Sequence, residues 1–178
     1  MATYTIKLDT ERFSHLIGAL SSSLEEPDVL LYAIGRTLVR THQERHQRGV
    51  DPEGNPWPAL KHPGYPEGRK GGPLNRTGAM LKSLNYNVEG DTLRIGFVGA
   101  EGAPAKYHQE GSKAHSIEAK QGRALKLGAL GIYRKRVHHP GLPPRPLLGF
   151  PESDRELVEE VLKDYLLLTL ERQRADNG

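Results

Sequence analysis

From residue 27 onward the apolar positions fall at helical intervals. Leu30, Ile34 and Leu38 recur every four residues, with Leu31 and Val39 beside them, which places them along one side of a helix. Pro27 suits the first turn, where a backbone N–H has no partner in any case. Gly49 marks the stop, so the pattern predicts a helix over residues 27–47. Upstream, residues 3–8 alternate like a short strand. Asp9 or Thr10 can then cap a helix that turns Phe13, Leu16, Ile17 and Leu20 inward. Downstream, Leu84, Tyr86 and Val88 share one face, and Leu93, Ile95 and Phe97 share another, with Glu89-Gly-Asp between them. This is the clearest hairpin signal in the chain. A short helix precedes it, with Thr77 as its cap and Met80, Leu81 and Leu84 facing inward. Residues 124–127 and 131–139 read as further strands. Ser153 and Glu156 match the capping-box spacing and open a last helix running to about Arg172. Leu157, Val161, Leu162, Tyr165 and Leu168 form its apolar face.

These elements predict an α+β domain, in which an antiparallel sheet of about four strands packs against a long helix of the N-terminal half and a C-terminal helix. The whole chain, residues 1–178, is read as one domain with long Gly/Pro-rich loops. Residues 61–73 and 112–131 are expected to be mobile loops, and residues 174–178 a frayed tail. The connections carry their own chemistry. Asp51-Pro-Glu-Gly has the composition of a tight turn. Trp57 stands between two prolines, belongs to no regular helix or central strand, and is expected to anchor its loop onto the core. Residues 140–149 are extended, because each proline forces its predecessor away from the helical region.

Composition narrows the picture. Hydrophobic residues make up 36% of the chain, so a modest core with long polar connections is expected. The absence of cysteine excludes disulfide staples, thiolate zinc sites and cysteine nucleophiles. No signal-peptide pattern is visible at the N-terminus, and no apolar run approaches the roughly 20 residues that span a bilayer. The formal charge of +3 is unevenly placed. Arg36, Arg40, Arg45 and Arg48 follow one helix, Arg134-Lys-Arg forms a second basic group, and acidic residues gather at the start of the last helix.

Candidate chemistry is sparse. His42 and His46 have the i, i+4 spacing that can hold zinc on a helix, but the arginines beside them repel a cation, and solvated or hydrogen-bonding imidazoles are the simpler reading. No Gly-x-Ser-x-Gly elbow and no phosphate-binding glycine loop occurs. No cofactor, metal site or catalytic residue is therefore assigned, and the chain is read as a non-enzyme. The basic positions Arg36, Arg40, Arg45 and Arg48 offer a nucleic-acid-binding module as the alternative function, although aromatic stacking residues are missing from that helix. A hydrolase would need clustered carboxylates or histidines in a pocket.

Five segments, in this order, carry a resemblance. They are Gly49-Val-Asp-Pro-Glu-Gly-Asn-Pro-Trp-Pro-Ala-Leu, Leu74-Asn-Arg-Thr-Gly-Ala-Met-Leu-Lys-Ser-Leu, the Gly90-Asp hairpin ending in Gly96-Phe-Val-Gly, Tyr107-His-Gln-Glu-Gly, and Pro143-Pro-Arg-Pro-Leu-Leu-Gly. Together they resemble the phage virion-morphogenesis family, which includes tail-completion proteins of Mu-like phages. The resemblance spans residues 30–168. It implies a structural protein that completes or terminates the tail and readies it to join the head, in the host bacterial cytoplasm during assembly and then in the virion tail or neck. Implied partners are other tail or neck proteins and further copies of the chain in a ring, often of six subunits. Membranes are not among them, and DNA enters only as a strand passing through the lumen. Assembly-interface candidates are Trp57, Arg76, Thr77, Tyr107, His108, Arg145 and Pro146, with Arg145 projecting from a stiff proline arm. The loop 61–73, the insert 112–139 and the proline arm are the expected contact regions. The same arm also reads as a rigid connector into the last helix.

Overall fold

The computed structural model of the chain describes residues 27–59, 74, 77–90, 92–120, 123–127 and 131–176. The expected strand at residues 3–8, the helix behind it, the loop 61–73 and Arg76 lie outside the described residues.

Helix α1 (Pro27–Arg48) lies at the centre of the packing. Leu30, Ile34 and Leu38 are buried, as their spacing requires, and the same interval of four continues into His42 and His46, which are also buried. The helix ends where Gly49 turns to a φ of 71°. There the Gly49 N–H donates to the His46 carbonyl and the Val50 N–H to that of Arg45, a left-handed stop that glycine adopts without a Cβ penalty.

One side of α1 receives the hairpin of β1 (Leu84–Glu89) and β2 (Thr92–Phe97). The register sets Leu84 opposite Phe97, Tyr86 opposite Ile95 and Val88 opposite Leu93. Directly opposed residues point to the same side of a ladder, so the two apolar runs make a single face. A Cβ on Gly35 of α1 would lie 2.5 Å from the Tyr86 ring and 2.9 Å from Leu93. Helix and hairpin therefore approach to a distance that only glycine permits. Helix α2 (Ala79–Lys82) leads into β1. Its N-cap position is Gly78, with Thr77 one residue earlier; the Thr77 hydroxyl accepts from the Ala79 N–H at 3.3 Å. Two short helices, α3 (Gly99–Gly102) and α4 (Ala105–Glu110), follow β2.

The other side of α1 packs on α5 (Glu152–Asp176). This helix begins before Ser153 rather than behind it, since the Asp154 and Arg155 N–H groups both donate to the Pro151 carbonyl. Val158 and Leu162 are buried, with Leu157, Val161, Tyr165 and Leu166 partly so. Leu168, expected on this face, is 57% exposed. At about 100° per residue it lies roughly 120° round the helix from Leu162. The helix also continues past Arg172 to Asp176.

The α+β class stands, but the strands are arranged otherwise than expected. Among the described residues they form three two-stranded antiparallel ladders instead of one sheet of about four. Beside β1–β2, these are β3 (His115–Glu118) with β6 (Arg136–His139), and β4 (Leu125–Leu127) with β5 (Ile132–Arg134). The hairpin β1–β2 lays its run of buried apolar residues on a helix, whereas β3 and β5 are exposed along their whole length. The single strand expected over 131–139 breaks at Lys135 and serves two partners, β4 coincides with the strand expected over 124–127, and β3 falls within the stretch expected to be a loop.

Candidate functional site

Two features emerge from this frame: a polar clamp inside the subunit, and an uncovered surface outside it.

The clamp forms where α1, the turn that follows it, the proline segment and α5 meet. The turn is built as its composition predicts. The Gly54 N–H donates to the Asp51 carbonyl at 3.0 Å, and both Asp51 carboxylate oxygens accept from Asn55. This delivers Trp57 inward, where its indole N–H donates to the Pro146 carbonyl at 3.0 Å and its ring meets His46 edge-on at 5.2 Å. The expected anchoring role of Trp57 is thereby seen directly. Gln109 of α4 holds the same proline segment: its side-chain oxygen accepts from the Leu147 and Leu148 N–H groups, and its amide donates to the Leu148 carbonyl. The Arg145 N–H donates to the His108 carbonyl at 2.6 Å.

Both buried guanidiniums are committed here. Arg145 does not project from the arm; it is 3% exposed and donates through Nε and Nη2 to the Pro58 carbonyl and through Nη2 to that of Ala59. Arg45 does not belong to a solvated basic face; it makes a two-pronged pair with Asp154 of α5 at 2.8 and 2.5 Å and donates to the Ser153 hydroxyl at 3.2 Å. Asp154 is fully buried. Such forked charge pairs are the strong, geometrically selective kind of hydrogen bond.

The histidines of α1 are neither solvated nor fully hydrogen-bonded. His42 Nε2 lies 3.9 Å from the Asp154 carboxylate, while its Nδ1 and the Nε2 of His46 are buried without a hydrogen-bond partner among the described residues. Burial dominates their protonation. It lowers the His42 pKa to about 4, with Asp154 working upward and Arg45 downward. His46 and His108 are also lowered, chiefly by burial. A neutral His42 thus stands at the seam between α1 and α5, and a neutral His46 beside Trp57. Among the described residues, no three His, Asp or Glu side chains gather closely enough to hold a metal ion, and no helix is long and apolar enough to cross a membrane.

The remaining candidates divide by exposure. Tyr107 and Thr77 are exposed, His108 and Pro146 half-buried, and Arg36, Arg40 and Arg48 exposed. Arg40 faces Glu44 at 3.9 Å on the surface. The clamp gathers Trp57, Arg145, Pro146 and the backbone of His108, and it leaves Tyr107 and Thr77 outside. Asp154 carries no motif, and Gln109 was not singled out although it stands within the segment Tyr107-His-Gln-Glu-Gly. His42 and His46, read from the sequence as solvated or hydrogen-bonding imidazoles, are buried instead, and their continuation of the Leu30–Ile34–Leu38 interval was a readable signal.

The uncovered surface is the double ladder of residues 112–142. It leaves the body at a narrow base, where Ser112 and Leu142 exchange two backbone hydrogen bonds of 3.0 Å. Gly111 and Gly141 flank that base with positive φ, and a Cβ on Gly141 would lie 2.2 Å from the Ser112 carbonyl. Beyond it, β3 and β5 are exposed along their whole length, with Ile117, Ile132 and Tyr133 open to solvent.

No curated protein and no solved structure matches the chain. The phage virion morphogenesis family matches it over residues 8–167 of 178, which takes in α1, the clamp, the projecting ladders and most of α5, and the chain belongs to that family.

Proposed function

We propose that the chain is a structural component which completes or terminates the phage tail and prepares head–tail joining, acting as a ring of like subunits rather than as a catalyst. The observation that carries this reading is the projecting ladder pair. A two-stranded ribbon is marginal in water by itself, and in this pair every residue of β3 and β5 is exposed. A ribbon of this kind is well suited to settle on a neighbouring subunit or a virion component. The body supports the same reading, because its two buried guanidiniums and the Asp154 carboxylate are spent on one another and on carbonyls. A subunit with such a clamp presents a rigid shape, which closed head-to-tail assemblies need. Withdrawal of Arg45 from the surface weakens the alternative of nucleic-acid binding along residues 36–48.

Complementation of a phage defective in tail completion, scored by infectious particles and by micrographs of tails, tests the role. Restored joined particles, together with a ring-sized mass for the purified chain or a cap on tail tubes, are expected. A chain that stays monomeric over a wide concentration range, caps no tails and rescues no particles would defeat it.

A further inference from the structure

The projecting ladders and the outward side of α5 are opposite in charge and alike in their apolar content. Between residues 112 and 142 stand Lys113, Lys120, Arg123, Lys126 and the run Arg134-Lys-Arg136, against Glu118 alone, a net +6 with His neutral. The whole chain carries +3, so the remainder carries −3. Every one of these basic side chains is exposed. Among the described residues, Arg136 pairs with Glu118 at 3.3 Å on the surface, and Arg134 donates to the carbonyl of its neighbour Tyr133.

Helix α5 carries much of the compensating charge. Glu156, Glu160 and Asp164 succeed one another every four residues, with Glu159 alongside, and all are exposed. At about 100° per residue Glu156, Glu160 and Asp164 lie on the side of the helix that faces away from Val158 and Leu162, with the base Lys163 beside them and Leu167 continuing that side C-terminally, while Glu159 and Leu170 stand at its edge. Those leucines are 60% and 54% exposed. The ladders offer Ile117, Ile132 and Tyr133 in return. Because both surfaces are exposed in one subunit, neither satisfies the other within a copy.

We propose, resting on the ring reading above, that the basic ladder arm of one copy docks on the acidic, leucine-bearing outer side of α5 in the next copy. The contact is heterologous, so each subunit gives an arm and receives one, and the chain of contacts closes when the rotation permits. Nucleic acid would meet the positive charge of the arm, but it has no use for the leucines of α5, and it leaves the acidic side of the same helix unanswered.

Charge swapping tests the contact in the full chain. The arm variant carries Lys126→Glu, Arg134→Glu and Lys135→Glu; the helix variant carries Glu156→Lys, Glu160→Lys and Asp164→Lys. Unchanged far-ultraviolet dichroism and Trp57 fluorescence verify that each is folded. Native mass spectrometry and sedimentation then read assembly of the wild type, each variant, and the two variants mixed. The wild-type oligomer should dissociate as salt rises. Each variant alone should weaken association on the order of tenfold or more, from several reversed pairs acting together, and mixing the two should restore it. A wild-type oligomer that neither variant disturbs would overturn the arm–helix contact and leave the ring standing. An arm variant that keeps its oligomer but loses retention on duplex DNA would assign the arm to nucleic acid. A wild type that remains monomeric, alone and on tail tubes, would overturn contact and ring together.

Discussion

Replacing Asp154 by Asn removes the anion from the seam between α1 and α5 while keeping the shape of the side chain. The carboxylate is fully buried, and both its oxygens receive the Arg45 guanidinium. What remains is a cation that is 7% exposed with an amide in place of its counter-charge. Breaking a buried pair on one side costs about 3–5 kcal/mol, because the surviving charge is left uncompensated. Against a total stability of roughly 5–15 kcal/mol, that is a large share. For a chain of this size it corresponds to a fall in Tm of roughly 6–20 °C. Replacing both partners, as in Arg45→Met with Asp154→Leu, removes the charge and its desolvation together, and it should recover most of the loss. Urea and thermal unfolding of the wild type, of Arg45→Met, of Asp154→Leu and of the double variant give the coupling directly. A D154N protein within about 1 kcal/mol of wild type would mean that water screens the pair and that the clamp is misjudged. A double variant as unstable as the singles would show that packing, rather than charge pairing, sets the cost.

Three further outcomes follow from the clamp and the arm. His42 is held neutral in the folded state, with its pKa depressed from 6.5 to about 4; as pH falls below 6.5 the unfolded chain takes up a proton that the folded chain refuses. The associated stability is complete above pH 6.5 and is lost on the way down to about pH 4, to the extent of about 3 kcal/mol. Urea midpoints across that window should show this slope, and His42→Leu should make it shallower, the remainder coming from His46 and His108, which burial also holds below 6.5. Trp57→Phe keeps the buried ring but leaves the Pro146 carbonyl without its 3.0 Å donor, a loss of about 1–3 kcal/mol readable in urea unfolding by circular dichroism. Gly141→Ala combines a φ of 90° with a Cβ 2.2 Å from the Ser112 carbonyl. It should raise amide exchange through residues 112–142 while leaving α1 and β1–β2 protected, and uniform exchange across all of them would refute a separately opening arm.

Much of the fold was legible in local pattern. The interval of four in α1, the alternation in β1 and β2, and the Asp51-Pro-Glu-Gly turn each depend on neighbours within a few residues, and local backbone physics is what periodicity and turn chemistry report. The proline segment shows the limit. Its extended course followed from Pro143, Pro144 and Pro146, but the direction of Arg145 did not. A guanidinium in an exposed-looking loop and one donating to the Pro58 and Ala59 carbonyls have the same local sequence. Ser153 misled for a related reason. Its spacing to Glu156 satisfies a capping box, yet Pro151 supplies the acceptor and the Ser153 hydroxyl receives Arg45 from 108 residues away.

The residues alone determined that there would be a long amphipathic helix, a hairpin, stiff proline connections and a segregation of charge, because each is a property of composition or short-range spacing. Tertiary structure decided which polar groups would be withdrawn from water. Arg45 and Asp154 stand 109 positions apart, and nothing near either one announces the other. Burial is a property of the whole packed chain, and it turned two histidines and two arginines from surface chemistry into the interior of a clamp, leaving the charged ladders outside to meet a partner.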